Sequence, residues 1–132
     1  MMGSMMRLKL VGFACAAIAA LSMTPASAQM KGALLYAHCA GIADAAFGGA
    51  MSRDDHFEMD YFADEAHVFM VLARQDRGDV PVRALKQLRV EGAAQLFHEN
   101  ATDDSIHAMV QECSDTRQAL GREGRWQKAA DQ

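Results

Sequence analysis

Between residues 31 and 121, apolar residues recur every three or four positions, the spacing of one face of an α-helix. The first such segment runs from Lys31 to Ala50, and its only charged residues are Lys31 and Asp44. Its apolar face is accompanied by a second, weaker stripe formed by Tyr36, Ala40, Phe47 and Met51. A helix this apolar is typical of the centre of a fold or of a contact between two copies.

The second predicted helix starts at Ser52, which can cap it, and continues to about Arg77, with Gly78 as the stop. Acidic residues in its first turn suit the positive end of the helix dipole. Besides its core face, this helix carries a second apolar stripe, formed by Phe57, Tyr61, Val68 and Leu72. The spare stripes of the first two helices predict either a buried central helix pair or a surface that binds another protein.

Two more helices complete the predicted fold. The third begins at the capping residue Asp79, with Pro81 in its first turn, and the fourth runs from about Thr102 to Gly121. Four helices with short loops predict an all-α fold, a small antiparallel bundle-like domain that spans residues 29–121. Residues 122–132 are mainly polar, with Trp126 as their one large apolar group, and we expect them to form a mobile tail.

The N-terminus is predicted to be a secretory signal peptide, residues 1–28. Arg7 and Lys9 form a basic region, residues 10–23 form a mainly apolar run, and a small-x-small cleavage pattern ends at Ala28. The apolar run is too short to span a bilayer. We therefore expect a mature protein of about 104 residues that is periplasmic or secreted.

Charge narrows the classes of partner. The whole chain has 13 Lys and Arg against 17 Asp and Glu, so without Arg7 and Lys9 the mature chain has 11 against 17, a net charge of −6. No cluster of basic residues remains, which makes nucleic acids and anionic membranes poor partners. The chain also lacks a serine triad arrangement, a phosphate loop and a haem-attachment motif, and we expect a protein that is not an enzyme.

Cysteine usage agrees with export. Cys15 lies in the predicted signal peptide, which leaves Cys39 and Cys113 in the mature chain. An even pair in an oxidising compartment predicts a disulfide. Both cysteines fall in the middle of predicted helices, on the core faces of the first and the fourth. A bond between them would stabilise the fold by roughly 4 kcal/mol through the entropy of the unfolded chain.

The stretch "HFEMDYFADEAHVFM", residues 56–70, repeats a His-x-x-Met step and raises the question of a metal site. His56 and His67 are about 16 Å apart along a helix, too far for one ion with bonds of roughly 2 Å. Asp60, Asp64 and His67 are spaced four and three, so a helix brings them together. Our leading expectation is that the protein binds no cofactor. The alternative prediction is a solvent-facing copper or zinc site that uses His56, Asp60, Asp64 and His67.

The segment "YAHCAGIADAAFGG", residues 36–49, is similar in style to the first helix of some small exported bacterial proteins. The layout resembles a broad class of such helical proteins with one disulfide, among them periplasmic immunity proteins that neutralise a toxin. That resemblance, with the spare apolar stripes, leads us to expect a protein that binds a protein partner or a second copy of itself. The candidate interaction surface consists of Tyr36, Phe47, Met51, Phe57, Tyr61, Val68 and Leu72.

Overall fold

The computed structural model describes residues 30–97 and 101–132, and within these ranges the chain forms five helices and no strand. The helices are α1 (Ala33–Ser52), α2 (His56–Gln75), α3 (Val82–Leu96), α4 (Asp103–Arg122) and α5 (Arg125–Ala130). The predicted all-α class is thereby confirmed. The predicted signal peptide lies outside the described residues. Of the helices described, none is long and apolar enough to cross a membrane.

The turn between α1 and α2 comes later than the sequence predicts. Ser52 is the last residue of α1 rather than the cap of α2. Asp54 adopts a φ of 55°, a left-handed conformation that aspartate tolerates better than most residues, and the chain reverses there. Asp55 then caps α2, because its side chain accepts a hydrogen bond from the Glu58 N–H at 3.1 Å.

The other helix boundaries follow the predicted signals with small shifts. Helix α4 begins at Asp103, next to the predicted start, and Thr102 caps it in a reciprocal capping box. Pro81, rather than Asp79, occupies the N-cap of α3, with an extended ψ of 144°. Helix α4 continues past Gly121, and the left-handed residue that follows it is Gly124, with a φ of 75°.

Helix α1 is the centre of the fold. Its residues 36–43 are all buried, and it packs chiefly against α2 and α3. Its contact with α4 is much shorter, and α5 packs instead on α2 and α4. A regular four-helix bundle would distribute its contacts more evenly among neighbours. The predicted antiparallel four-helix bundle is therefore not confirmed, although the central place of α1 agrees with its apolar sequence.

Two glycines allow α1 and α3 to approach closely. A Cβ atom built on Gly41 would lie 2.8 Å from the backbone nitrogen of Ala93, and one on Gly92 would meet the backbone carbonyl of His38. Both glycines are therefore required by the contact between the backbones. The buried His38 donates from Nε2 to Oε1 of Gln95 at 2.9 Å, so it is a satisfied core histidine that joins the same two helices.

An ion pair also joins α1 and α3, one helical turn after Gly41 on α1, whereas His38 lies one turn before it. Arg89 binds the Asp44 carboxylate in a bidentate manner, with Nε to Oδ2 at 2.6 Å and Nη2 to Oδ1 at 2.8 Å. The hydrogen bonds to Asp44 raise the pKa of Arg89. Because both side chains are about one-third exposed, the pair fixes the geometry of the crossing more than it adds stability.

The predicted disulfide between Cys39 and Cys113 is confirmed. It links α1 to α4 across a Cα–Cα distance of 5.5 Å and a sequence separation of 74 residues. Both cysteines are buried. The bond fixes α4 to the central helix at a point where the two helices otherwise make few contacts.

The C-terminal residues form a helix where the sequence predicts a polar tail. Trp126 of α5 packs edge-on against the buried Phe69, with ring centroids 4.9 Å apart. Ala129 is buried, and Arg125 binds the Asp76 carboxylate at 2.7 Å. A six-residue helix has too few turns for apolar periodicity to reveal it in the sequence. Trp126 is therefore the main indication in the sequence that this segment packs on the core.

Candidate protein-binding groove

A groove opens on the surface between α1, α2 and α4, with the end of α3 at its edge. Its cavity has a volume of about 230 Å³. Ile42 of α1, Phe62 of α2 and Val110 of α4 give it mainly apolar walls, and both cysteines of the disulfide also line it. We refer to the cavity with these lining residues as the apolar groove.

The side-chain sizes of α1 explain why the groove exists. Along the groove, α1 presents Ala43 and Ala46 after Ile42. These short side chains do not reach across the space between α2 and α4. The disulfide holds α4 in place there, so the walls stay apart without side chains filling the gap between them.

Two charged side chains lie at the groove, Glu65 of α2 and Arg117 of α4. Their side chains are only 13% and 30% exposed, and Arg117 Nη1 lies 3.9 Å from Glu65 Oε1. That separation is an ion pair without a hydrogen bond. Burial raises the pKa of the Glu65 carboxyl and lowers the pKa of Arg117, because removal from water disfavours both charged forms.

Arg117 also joins three helices through aromatic rings. Its Cζ lies 4.7 Å from the ring centroid of Tyr61 in α2 and 4.8 Å from that of Trp126 in α5. It also donates a hydrogen bond to the Tyr61 hydroxyl. Such contacts with ring faces stabilise a guanidinium that is partly withdrawn from water. A second cavity, of about 340 Å³, is lined by the same three side chains, so Arg117 borders both cavities.

Sequence analysis did not assign Glu65 or Arg117 to a site, and it placed Trp126 in a mobile tail. A signal for the first two was present. Glu65 stands three residues after Phe62 and four before Phe69, and Arg117 stands four after Cys113. Each therefore interrupts a predicted apolar helix face with a charge, which points to a site or to a buried ion pair.

The predicted interaction surface divides into two parts. Tyr36, Val68 and Leu72 are buried in the core, as expected for a buried helix pair rather than for a binding surface. Phe47 is half-buried. The remaining residues are exposed on the surface, namely Met51 (58%), Phe57 (81%) and Tyr61 (43%). The exposed part of the stripe on α2 is therefore its N-terminal half, and Tyr61 also lines the apolar groove.

The candidate metal ligands His56, Asp60, Asp64 and His67 are all exposed on α2. His56 is paired with a residue outside that set, because its Nε2 lies 3.2 Å from Oδ1 of Asp54. Among residues 30–97 and 101–132, no three His, Cys, Asp or Glu side chains converge to form a metal-binding group.

None of the family models, curated proteins or solved structures compared with this chain matches it significantly. The class of the protein therefore rests on its own residues. It is an all-helical protein that contains one disulfide and an open apolar groove.

Proposed function

We propose that this protein is exported behind a cleaved signal peptide, residues 1–28, to the periplasm or beyond. Its four longer helices form a bundle-like domain closed by the disulfide, and it acts without catalysis by binding another protein. The apolar groove is the binding site. The observation that carries this proposal is the open, mostly apolar groove, whose lining includes Tyr61, an aromatic side chain that is 43% exposed. Phe57, one helical turn before Tyr61 on α2, is 81% exposed.

The size of the groove favours a protein over a small molecule. Sites for small molecules usually have volumes of about 300–1,000 Å³, and the apolar groove has about 230 Å³. A cavity of that size suits one large apolar side chain. Protein interfaces obtain much of their affinity from such an anchor, surrounded by contacts that exclude water. Tyr61 lines the groove and is 43% exposed, so it supplies apolar surface beside such an anchor.

The net charge favours a partner other than a second copy. The mature chain has 11 Lys and Arg against 17 Asp and Glu, and two copies of such a chain repel each other at low ionic strength. The resemblance in layout to exported helical immunity proteins agrees with a role as an inhibitor or neutraliser of another protein.

Site-specific photo-crosslinking in the producing cell tests this proposal. We would place a photoreactive residue at Val110, which lines the groove and is 46% exposed, and in a matched control at Val90 of α3, which is 62% exposed. We expect a discrete protein adduct from position 110 and none from position 90. Phe57→Ser should abolish the adduct without unfolding the protein, because Phe57 is largely in solvent.

Equal labelling at positions 110 and 90, or labelling at neither, would overturn the binding role of the groove. An adduct of twice the monomer mass would show that the partner is a second copy. The site of export is tested separately, by fractionating the cells and reading the N-terminus of the mature protein. An N-terminus at Met1 would overturn the signal peptide.

The second candidate function is metal binding in the periplasm, supported by the exposure of Asp60, Asp64 and His67 at helical spacing. Titration with copper, zinc and nickel tests it, with His67→Ala as the variant. Binding tighter than millimolar that is lost in this variant would support a site on α2. The absence of such binding would remove this candidate.

A further inference from the structure

We infer that Arg117 is a specificity-determining residue of the apolar groove, because its side chain closes the groove at one end and limits it to a single anchor side chain. This inference rests on the proposed function and adds which anchors the groove accepts. The second cavity, of about 340 Å³, lies beyond the closed end. It is lined by Tyr61, Ser114, Arg117, Gln118, Gly121 and Trp126.

The apolar groove and the second cavity follow one another along α4. The residues of α4 that line the groove lie between Val110 and Arg117, and those that line the second cavity lie between Ser114 and Gly121. The second set is displaced from the first by four residues, or about 6 Å along the helix axis. Both cavities are also lined by Tyr61 of α2. They are therefore neighbours in the space between α2 and α4.

The side chain of Arg117 crosses this space from α4 to α2. It donates a hydrogen bond to the Tyr61 hydroxyl, and its Nη1 lies 3.9 Å from Oε1 of Glu65, so both partners belong to α2. Helices α2 and α4 pack mainly on α1 and α5 and make few contacts with each other. The contact between Arg117 and Tyr61 is therefore what divides the groove from the second cavity.

The planar shape of the guanidinium holds Arg117 in this position. Its Cζ lies 4.7 Å from the ring centroid of Tyr61 and 4.8 Å from that of Trp126, and the side chain is only 30% exposed. Arginine stacks on aromatic rings, whereas lysine carries a compact charge on a flexible stem and has no planar group to stack. Arginine therefore makes a more rigid division at this position than lysine would.

This division restricts what can enter the groove. A second apolar side chain, one helical turn beyond the first along α4, would meet the guanidinium of Arg117 and remove its remaining water, which is unfavourable for a charged group. Without Arg117, the rings of Tyr61 and Trp126 would supply aromatic surface for that side chain. The offset of about 6 Å between the cavities equals the rise between residues i and i+4 of a helix. Two leucines at that spacing therefore probe the two cavities together.

Two synthetic helical peptides test the inference on the mature, oxidised protein by calorimetry. They lack tryptophan and share one amphipathic sequence with a leucine anchor. They differ only four residues later, where the one-anchor peptide has glutamine and the two-anchor peptide has leucine. We expect the second leucine to change the affinity of the wild type by less than about twofold and to raise that of Arg117→Ala about tenfold, because burial of a leucine contributes at least that much. The ratio of the two affinities is compared, so any effect of a variant on the first anchor cancels.

Two further variants control for other effects of the substitution. Gln118 lines the second cavity from the same helix but does not line the groove, so Gln118→Ala should keep the wild-type ratio. Arg117→Lys keeps the charge and most of the stem, which preserves the fold, but it removes the planar group. We expect about a threefold gain from the second leucine in this variant, between the wild type and Arg117→Ala.

Trp126 reports separately on the second cavity. It is the only tryptophan of the chain and lines the second cavity but not the groove. We expect its fluorescence to change when the two-anchor peptide binds Arg117→Ala and to stay nearly constant when the one-anchor peptide binds the wild type. A purely structural role of Arg117 would not make this change depend on the second leucine.

An equal gain from the second leucine in the wild type and in Arg117→Ala would overturn the inference, and so would the absence of a gain in both. Either result leaves the proposed function standing, because the one-anchor peptide still binds. If neither peptide binds any of these proteins, the inference falls, and the crosslink from position 110 decides the proposed function independently.

Discussion

Replacing Gly41 with alanine should destabilise the protein, although alanine is the better helix former. Gly41 lies within α1, where α3 approaches most closely. An added Cβ would overlap the carbonyl oxygen of Arg89 and lie 2.8 Å from the nitrogen of Ala93, so its nearest neighbours are backbone atoms. A side chain can rotate away from such a contact, whereas the backbone of a packed helix can move only with the whole helix.

The magnitude follows from two opposing terms. Alanine in place of glycine favours a helix by roughly 1 kcal/mol. The added Cβ and the carbonyl oxygen of Arg89 must separate to ordinary van der Waals distance, which moves α3 away from α1 by more than roughly 1 Å. This movement loosens the contacts beside it, including the bidentate pair of Asp44 and Arg89. Overpacking of this kind costs about 3 kcal/mol. We expect a net loss of about 2 kcal/mol in the free energy of unfolding.

Urea denaturation followed by circular dichroism measures this loss, and Gly121→Ala is the matched control. Gly121 lies within α4, and a Cβ there would meet nothing within 4 Å. That variant should gain roughly 0.5–1 kcal/mol. The two substitutions are chemically identical, so their difference of about 3 kcal/mol isolates the helix crossing. If Gly41→Ala were as stable as Gly121→Ala, the close approach of α1 and α3 would be refuted.

Three further predictions concern the disulfide, the last helix and the charged pair. Replacing Cys39 and Cys113 together with alanine should lower the free energy of unfolding by roughly 4 kcal/mol; an unchanged urea midpoint would contradict this. Trp126→Ala should lower it by about 3 kcal/mol through lost packing on Phe69, whereas a mobile tail would give no change. Burial raises the pKa of Glu65 above 4.5, so the folded protein keeps this proton to higher pH than the unfolded chain. The resulting stabilisation is complete below pH 4.5 and is lost as the pH rises through the folded pKa. Wild type should therefore lose stability relative to Glu65→Gln on going from about pH 4 to about pH 7; a gain over this range would show that the attraction of Arg117 outweighs burial.

The helices could be predicted because apolar periodicity is a local property of the sequence. The disulfide could be predicted because two cysteines remain in a chain that is expected to enter an oxidising compartment. Three-four periodicity located four of the five helices found in residues 30–97 and 101–132, and the predicted start of the fourth near Thr102 lies one residue before α4. The mutual packing of the helices could not be predicted from those signals. Gly92 is unfavourable for the interior of a helix, yet together with Gly41 it allows α3 to approach α1. A residue that is unfavourable for local structure can thus be required by the tertiary contact.

The candidate site was only partly predictable, because exposure depends on which helices cover each stripe. Phe57 and Val68 belong to one stripe of α2, yet Phe57 is exposed and Val68 is buried. Helix α5 packs on α2 and brings Trp126 onto Phe69. The periodicity of α2 alone does not indicate which residues of the stripe are covered by other helices. Recognising Trp126 as a core residue would have been needed to divide the stripe correctly.

The disulfide has a consequence for how tightly a partner can bind. Cys39 and Cys113 both line the apolar groove, so a covalent bond sets the distance between the walls contributed by α1 and α4. A site held open in this way does not have to be ordered when a partner arrives, and less of the interaction free energy is lost to conformational entropy. The oxidised protein should therefore bind by a nearly rigid docking. Reduction should weaken binding mainly through a larger entropic penalty, even under conditions where the helices remain formed.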